Sequence, residues 1–254
     1  TLTLNSGIVC NGAGDNTNYI FCLPESITVP VTNGVAEFSN IEIYEGNFVS
    51  QEFTVDTSLF NQKYILDNSF IDTSTIKVKV KNSSSSTSSV TYQQIDNIIG
   101  ITSTSAAYLL QEVEDERYEL IFGDNVIAKK LSNGNVITVS YITTDWKDGN
   151  GASEFSFVGN ITNQDGAAIN SSLIGLVSTD EKSRDGDDIE SISSIKYFAP
   201  RIYSSQYRAV TSSDYESVLS YIYPNVESVT AFGGEEMSPP RFGKVFISVK
   251  PRNG

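Results

Sequence analysis

In residues 180–250, caps, prolines and apolar spacing fix an order of elements: helix, helix, strand, strand. Asp187 or Asp188 can cap a first helix by accepting hydrogen bonds from the orphan N–H groups of its opening turn. Ile189, Ile192, Ile195 and Phe198 follow at three-residue intervals and predict one apolar face. Ala199-Pro200 predicts the end of that helix, because proline lacks an N–H and disfavours helix in the residue before it. Thr211 opens a second helix, with Asp214 as the acid of a shortened capping box and Val210 and Tyr215 spaced as a hydrophobic staple. Tyr215, Val218, Leu219 and Ile222 form its stripe for burial, and Tyr223-Pro224 ends it. Residues 226–232 and 243–249 read as strands, with a turn at Gly233-Gly234. Between them Met237-Ser238-Pro239-Pro240-Arg241 is extended loop, since two prolines cannot join a central ladder.

Upstream, short runs rich in Val, Ile, Thr, Tyr and Phe favour strands. Residues 2–9, 19–23, 27–31, 35–38, 41–44 and 48–55 read this way, with turns at 11–18, at Asn33-Gly34 and at Glu45-Gly46-Asn47. Residues 58–70 read as an irregular connection. Residues 75–80, 90–92, 108–113, 117–122 and 136–143 continue the strand pattern around a serine-rich loop at 82–89 and a turn at 132–135. Phe155, Phe157 and Ile161 suggest one more strand. The expected fold is α+β and mainly β: several small antiparallel β subdomains followed by a C-terminal helix–helix–strand–strand unit. The expected divisions are 1–71, 72–144, 145–179 and 180–254.

Reactive chemistry is sparse. Histidine is absent, which removes Ser-His-Asp and Cys-His catalysis and His-ligated metal sites from these 254 residues. The net charge of −14 opposes direct contact with a phosphate backbone. Lys77, Lys79 and Lys81 alternate, as on one face of an edge strand guarded by charge. Asp180, Glu181, Asp185, Asp187, Asp188 and Glu190 lack the spacing of a calcium loop and read as a solvated loop ending in a helix cap. Glu112, Glu114, Asp115 and Glu116, and Glu235-Glu236, read as exposed acids. No apolar run approaches a membrane span in length, and residues 1–22 lack the make-up of a signal peptide. Two cysteines, Cys10 and Cys22, could pair but do not make a disulfide framework. The start at Thr1 rather than Met leads us to expect a piece of a longer protein.

The string APRIYSSQYRAVTSSDYESVLSYIYPNVESVTAFGGEEMSPPRFGKVFISVKP resembles the C-terminal signature of baseplate wedge proteins from T4-like contractile-tailed phages, within the baseplate J-like family. Ala199, Pro200, Arg208, Ala209, Val210, Thr211, Asp214, Tyr215, Glu216, Pro224, Val229, Gly233, Gly234, Gly243 and Val245 carry the match. A second block fits in order: residues 118–124 (YELIFGD), Gly134-Asn135-Val136, Tyr141 and Gly149-Asn150-Gly151-Ala152. Asn125 and Ala128 stand where the GDGxxG turn of the family carries glycines.

The resemblance implies a structural protein of the virion tail baseplate, assembled in the host bacterial cytoplasm. It implies a homodimer within a ring that also binds other wedge proteins. It implies no enzyme, cofactor, metal, small-molecule substrate, nucleic acid or membrane insertion, and free thiols at Cys10 and Cys22. Arg201, Ile202, Tyr203, Tyr207, Arg208, Met237, Arg241 and Phe242 are the expected interface, because arginine, methionine and aromatics are enriched where proteins meet. The open alternative is that these aromatics pack within their own domain. The composition also allows a β-rich receptor-binding adhesin of the virion surface, and more distantly a carboxylate glycosidase.

Overall fold

The structure, a computed structural model, describes residues 1–14, 17–96, 99–170, 174–175, 182–206, 208–223 and 226–251. The chain forms two compact units, Thr1–Asp187 and Asp188–Gly254. The first contains β1 (Leu2–Leu4), β2 (Gly7–Gly14), β3 (Thr17–Leu23), β4 (Ile27–Val29), β5 (Tyr44–Glu45), β6 (Asn47–Thr54) and β7 (Tyr64–Ile65). It continues with β8 (Ile71–Lys81), β9 (Ser89–Gln94), β10 (Ala107–Val113), β11 (Arg117–Phe122), β12 (Val136–Thr143), β13 (Ser153–Phe157) and β14 (Ile161–Asn163). The second holds α1 (Ile192–Ser205), α2 (Ser212–Ile222), β15 (Val226–Gly233) and β16 (Val245–Pro251). The protein is mainly β, with several antiparallel sheets ahead of two helices and a strand hairpin, as the sequence predicts.

Three sheets build the first unit, in the orders β14-β1-β4, β13-β2-β3-β5 and β6-β12-β8-β9-β10-β11-β7. Within the largest, β9 and β10 run parallel. Its inner face collects Ile76, Val78, Val80, Tyr92, Tyr108, Leu120, Ile137, Val139 and Tyr141 into one core. The outer strands β6 and β7 are joined by side chains. Gln51 Nε2 donates to Asp67 Oδ2 at 3.0 Å, and Gln51 Oε1 accepts from the Asp67 N–H at 3.2 Å. Gln62 Nε2 donates to the Thr54 carbonyl at 2.8 Å, and the rings of Phe53 and Tyr64 meet edge to face. The sheet therefore curls into a barrel whose seam is closed by glutamine amides.

A second core, around Leu4, Val9, Cys10, Phe21, Leu23 and Ala152, lies at the smaller sheets. Cys10 pairs with Phe21 and so shares its face, whereas Cys22 is next to Phe21 on the same strand and points to the other. Both thiols are free and buried, and Cys22 Sγ donates to the Gly46 carbonyl. This strand geometry excludes the Cys10–Cys22 pair that the sequence left open.

Several local expectations need correction. Residues 11–14 and 17–18 are strand where the sequence predicts a turn: Gly12 and Gly14 continue β2, opposite Tyr19 and Thr17 of β3. Gly12 lies under two rings, where an added Cβ would stand 2.8 Å from both Phe21 and Phe155; its missing side chain makes room for aromatics. Residues 35–38 form no strand, only a bridge from Val35 back to Thr32 across the Asn33-Gly34 turn. Both turn residues have the positive φ such a two-residue loop demands. The lysine strand, β8, is central and not an edge, because β12 and β9 flank it. Its lysines mark the outer side, where Lys79 meets Glu25 at 2.7 Å. Residues 153–163 give two strands, β13 and β14, in different sheets.

In the second unit, Ser191, not Asp187 or Asp188, caps α1 by accepting from the Ser194 N–H at 3.2 Å. The helix runs through Pro200 to Ser205 and ends at Gln206 in a left-handed conformation. Pro200 removes one helical bond, the one to the Lys196 carbonyl; next to it Arg201 donates to the Tyr197 carbonyl at 2.6 Å and Ser204 Oγ to the Pro200 carbonyl at 2.8 Å. The capping box on α2 is present, with Thr211 Oγ1 accepting from the Asp214 N–H and Asp214 Oδ2 from the Thr211 N–H. The bond from the Thr211 N–H, with smaller contributions from the Thr211 hydroxyl and the Val210 N–H, holds the Asp214 carboxyl below its ordinary range.

Candidate assembly surface

The helices and ribbon of Asp188–Gly254 leave much apolar surface in water. Ile189, Ile192 and Ile195, predicted as the buried face of α1, are exposed, and only Phe198 of that set is partly covered. On α2, Tyr215, Val218 and Leu219 are half-buried, but Ile222 is 68 % exposed. Val210 is also exposed. The reason is size: two helices and a two-stranded ribbon have too few elements to cover every apolar stripe their spacing creates.

The predicted interface residues fall in two groups. Arg201, Ile202 and Tyr203 sit on the C-terminal half of α1, with Arg208 just beyond its cap. Tyr203 is 85 % exposed. The Arg201 guanidinium lies 3.7 Å from the centre of the Tyr197 ring, so it is held in place by a cation–π contact as well as by the Tyr197 carbonyl. Arg208 donates to Gln206 Oε1 at 3.1 Å. Tyr207 lies outside the described residues.

Met237, Arg241 and Phe242 form the second group, on the loop between β15 and β16. The loop is tied at its neck, where the Gly234 carbonyl accepts from Arg241 at 2.6 Å and the Gly234 N–H donates to Lys244 at 2.8 Å. A Cβ at Gly234 would collide with the Arg241 carbonyl, so only glycine lets the neck close this tightly. Phe242 is thereby held out, 80 % exposed, on a pinned backbone.

Sequence reasoning read β16 as a strand but did not name its exposed face as part of the surface. On β16, Val245, Ile247 and Val249 share one face and remain 44–47 % exposed. Their alternation was the available signal. On the opposite face Phe232 and Phe246 stack across the ribbon, 5.7 Å between centres. Glu216 on α2 reaches the ribbon and accepts from the Ala231 N–H at 3.0 Å.

Charge is divided sharply. Asp188–Gly254 carries seven acidic and seven basic residues, so the whole surplus of 14 negative charges belongs to Thr1–Asp187. Exposed large apolar side chains lie on both units, and they are denser along the neutral one. Among the described residues, no three Cys, Asp or Glu side chains come together as a metal site, and no helix is long and apolar enough to cross a membrane.

Residues 211–254 match the family described as baseplate structural protein gp6, C-terminal domain I. The chain is also 26 % identical over 176 residues to baseplate wedge protein gp6 of Enterobacteria phage T4, a match covering 60 % of this chain and 25 % of that protein. The chain thus spans about a quarter of the length of the relative it matches. In the turn singled out above, Asn125 and Ala128 both adopt positive φ, the backbone region that glycine enters most readily. Over these stretches the chain is similar to a structural protein of the phage baseplate wedge.

Proposed function

We propose that this chain is a building segment of a baseplate wedge, which joins a second copy of itself and other wedge proteins through the unit Asp188–Gly254, in the ring around the hub. The observation that carries this reading is the pairing of extensive exposed apolar surface with zero net charge in that unit. Apolar area drives association in proportion to what leaves water, and a neutral unit adds no long-range repulsion between copies. The tethered Phe242 and Arg201 fit the role of anchors, since little side-chain or backbone freedom remains to be lost on binding. The acidic β unit serves as a strut, with an affinity for basic partner surfaces. The reading assigns the chain no reaction and no cofactor.

Light scattering across a concentration series tests self-association: a dimer or larger species at micromolar concentration supports it, and a strict monomer removes it. Reversing charge at Arg201 and Arg208 together tests the binding of other subunits. Wedge assembly at the normal rate in that variant would show that these arginines make no contact.

A further inference from the structure

The direction of the backbone groups on β16 carries a more specific assignment. Ala231 of β15 lies opposite Ile247, yet its N–H goes to Glu216 and not across the ribbon. Ala231 and Ile247 are therefore a non-hydrogen-bonded pair of the antiparallel ladder. By alternation, the N–H and C=O groups of Val245, Ile247 and Val249 point away from β15. The bond from Gly234 N–H to the Lys244 carbonyl has the phase this requires. One edge of the ribbon is thus occupied by α2, and the other, among the described residues, offers open backbone donors and acceptors.

We infer that β16 pairs edge to edge with β16 of a second copy, antiparallel, about a two-fold axis through Ser248. This rests on the self-association proposed above and names its contact. The sequence of the strand is complementary to itself about that point. Ile247 faces Val249 of the copy, Val245 faces Pro251, and Phe246 faces Lys250, so no two lysines oppose each other. Ile247 and Val249 are then hydrogen-bonded partners, and two ribbons become one four-stranded sheet. Its apolar row of Val245, Ile247 and Val249 continues into the same row of the copy. Edges that must stay single are commonly guarded by charge, bulges or shortness; on β16 only Lys250 and Pro251, at one end, serve that purpose.

The test is cysteine cross-linking of the whole chain. Ser248→Cys would face its own copy as a non-hydrogen-bonded pair, with Cα atoms about 4.5 Å apart, inside the disulfide range of about 4.4–6.8 Å. Cys10 and Cys22 are buried and do not compete. Under mild oxidation S248C is expected to cross-link to a dimer, while V249C, facing Ile247, is not. Ile247→Lys, at an exposed position that tolerates the change, is expected to weaken the dimer at least tenfold by light scattering. A wild-type dimer with no S248C cross-link, or with equal cross-linking at V249C, overturns the strand pairing and leaves self-association standing. A wild type that is monomeric throughout overturns both.

Discussion

Glu216 on α2 accepts a hydrogen bond from the backbone N–H of Ala231 on β15, 3.0 Å away, and so ties a helix to the edge of a strand. Ala231 is buried. Replacing Glu216 by Ala leaves that N–H without an acceptor and is expected to cost about 1–3 kcal/mol. Glu216→Gln keeps an oxygen in place and is expected to lose less than half as much. Amide exchange at Ala231, read beside urea unfolding, checks this. Unchanged protection of Ala231 in the alanine variant would refute the tie.

The turn after β11 makes a second case. Asp124 Oδ1 accepts from the Val126 and Ile127 N–H groups, and Asn125 Oδ1 from Lys130, so residues 123–130 wind tightly. Ala128 pays for this with a φ of 60°. Left-handed backbone costs an ordinary residue roughly 1–2 kcal/mol, against about 0.8 kcal/mol for the buried methyl. Ala128→Gly is therefore expected to stabilise the protein by up to about 1 kcal/mol. A fall in melting temperature would show that the methyl matters more than the strain.

At the barrel seam, Gln51→Ala removes both bonds to Asp67. We expect a loss of about 1–2 kcal/mol and faster amide exchange concentrated at Asp67, where β6 meets the segment after β7. Uniform loss of protection across the sheet would instead mean that the seam opens only with global unfolding.

Tyr108 and Tyr141 lie in the barrel core, and desolvation pushes both phenols up to about 12; Asp67 adds to the effect at Tyr141. A neutral phenol is the form the fold prefers. Their contribution is fully present below pH ~10, where unfolded tyrosine titrates, and is lost as pH rises towards the folded value. Alkaline unfolding is expected between these limits, with phenolate absorbance and loss of near-ultraviolet dichroism appearing together. Phenolate absorbance from these two residues near pH 10 in a folded protein would contradict it.

Much of the fold was legible because turn chemistry and strand alternation are local. Strands β11 and β12 and the capping box of α2 were read with their bounds or residues intact. Strand pairing was not legible. The lysines of β8 look the same on an edge as in the middle of a sheet with one solvated face, and only the partners β12 and β9 decide. Nor does alternation reveal that β6 and β7, from residues before 71, enclose strands that follow it. Pro200 misled because a proline inside a helix removes one backbone bond, and the turns on either side carry α1 through it. At the assembly surface, Tyr203 and Phe242 were named from residue type, but the open edge of β16 became visible only through the direction of one N–H on its neighbour.

The confinement of all 14 surplus negative charges to Thr1–Asp187 has a colloidal consequence. A neutral polypeptide with this much bare apolar surface would precipitate before it met its proper neighbours. Carried on the same chain as a strongly anionic body, it stays dispersed, because collisions at random orientation bring like charges together first. Salt shortens that reach to about 8 Å at physiological strength, so the repulsion acts only as two chains come close. Severed from its acidic unit, the C-terminal unit is expected to lose this protection and salt out.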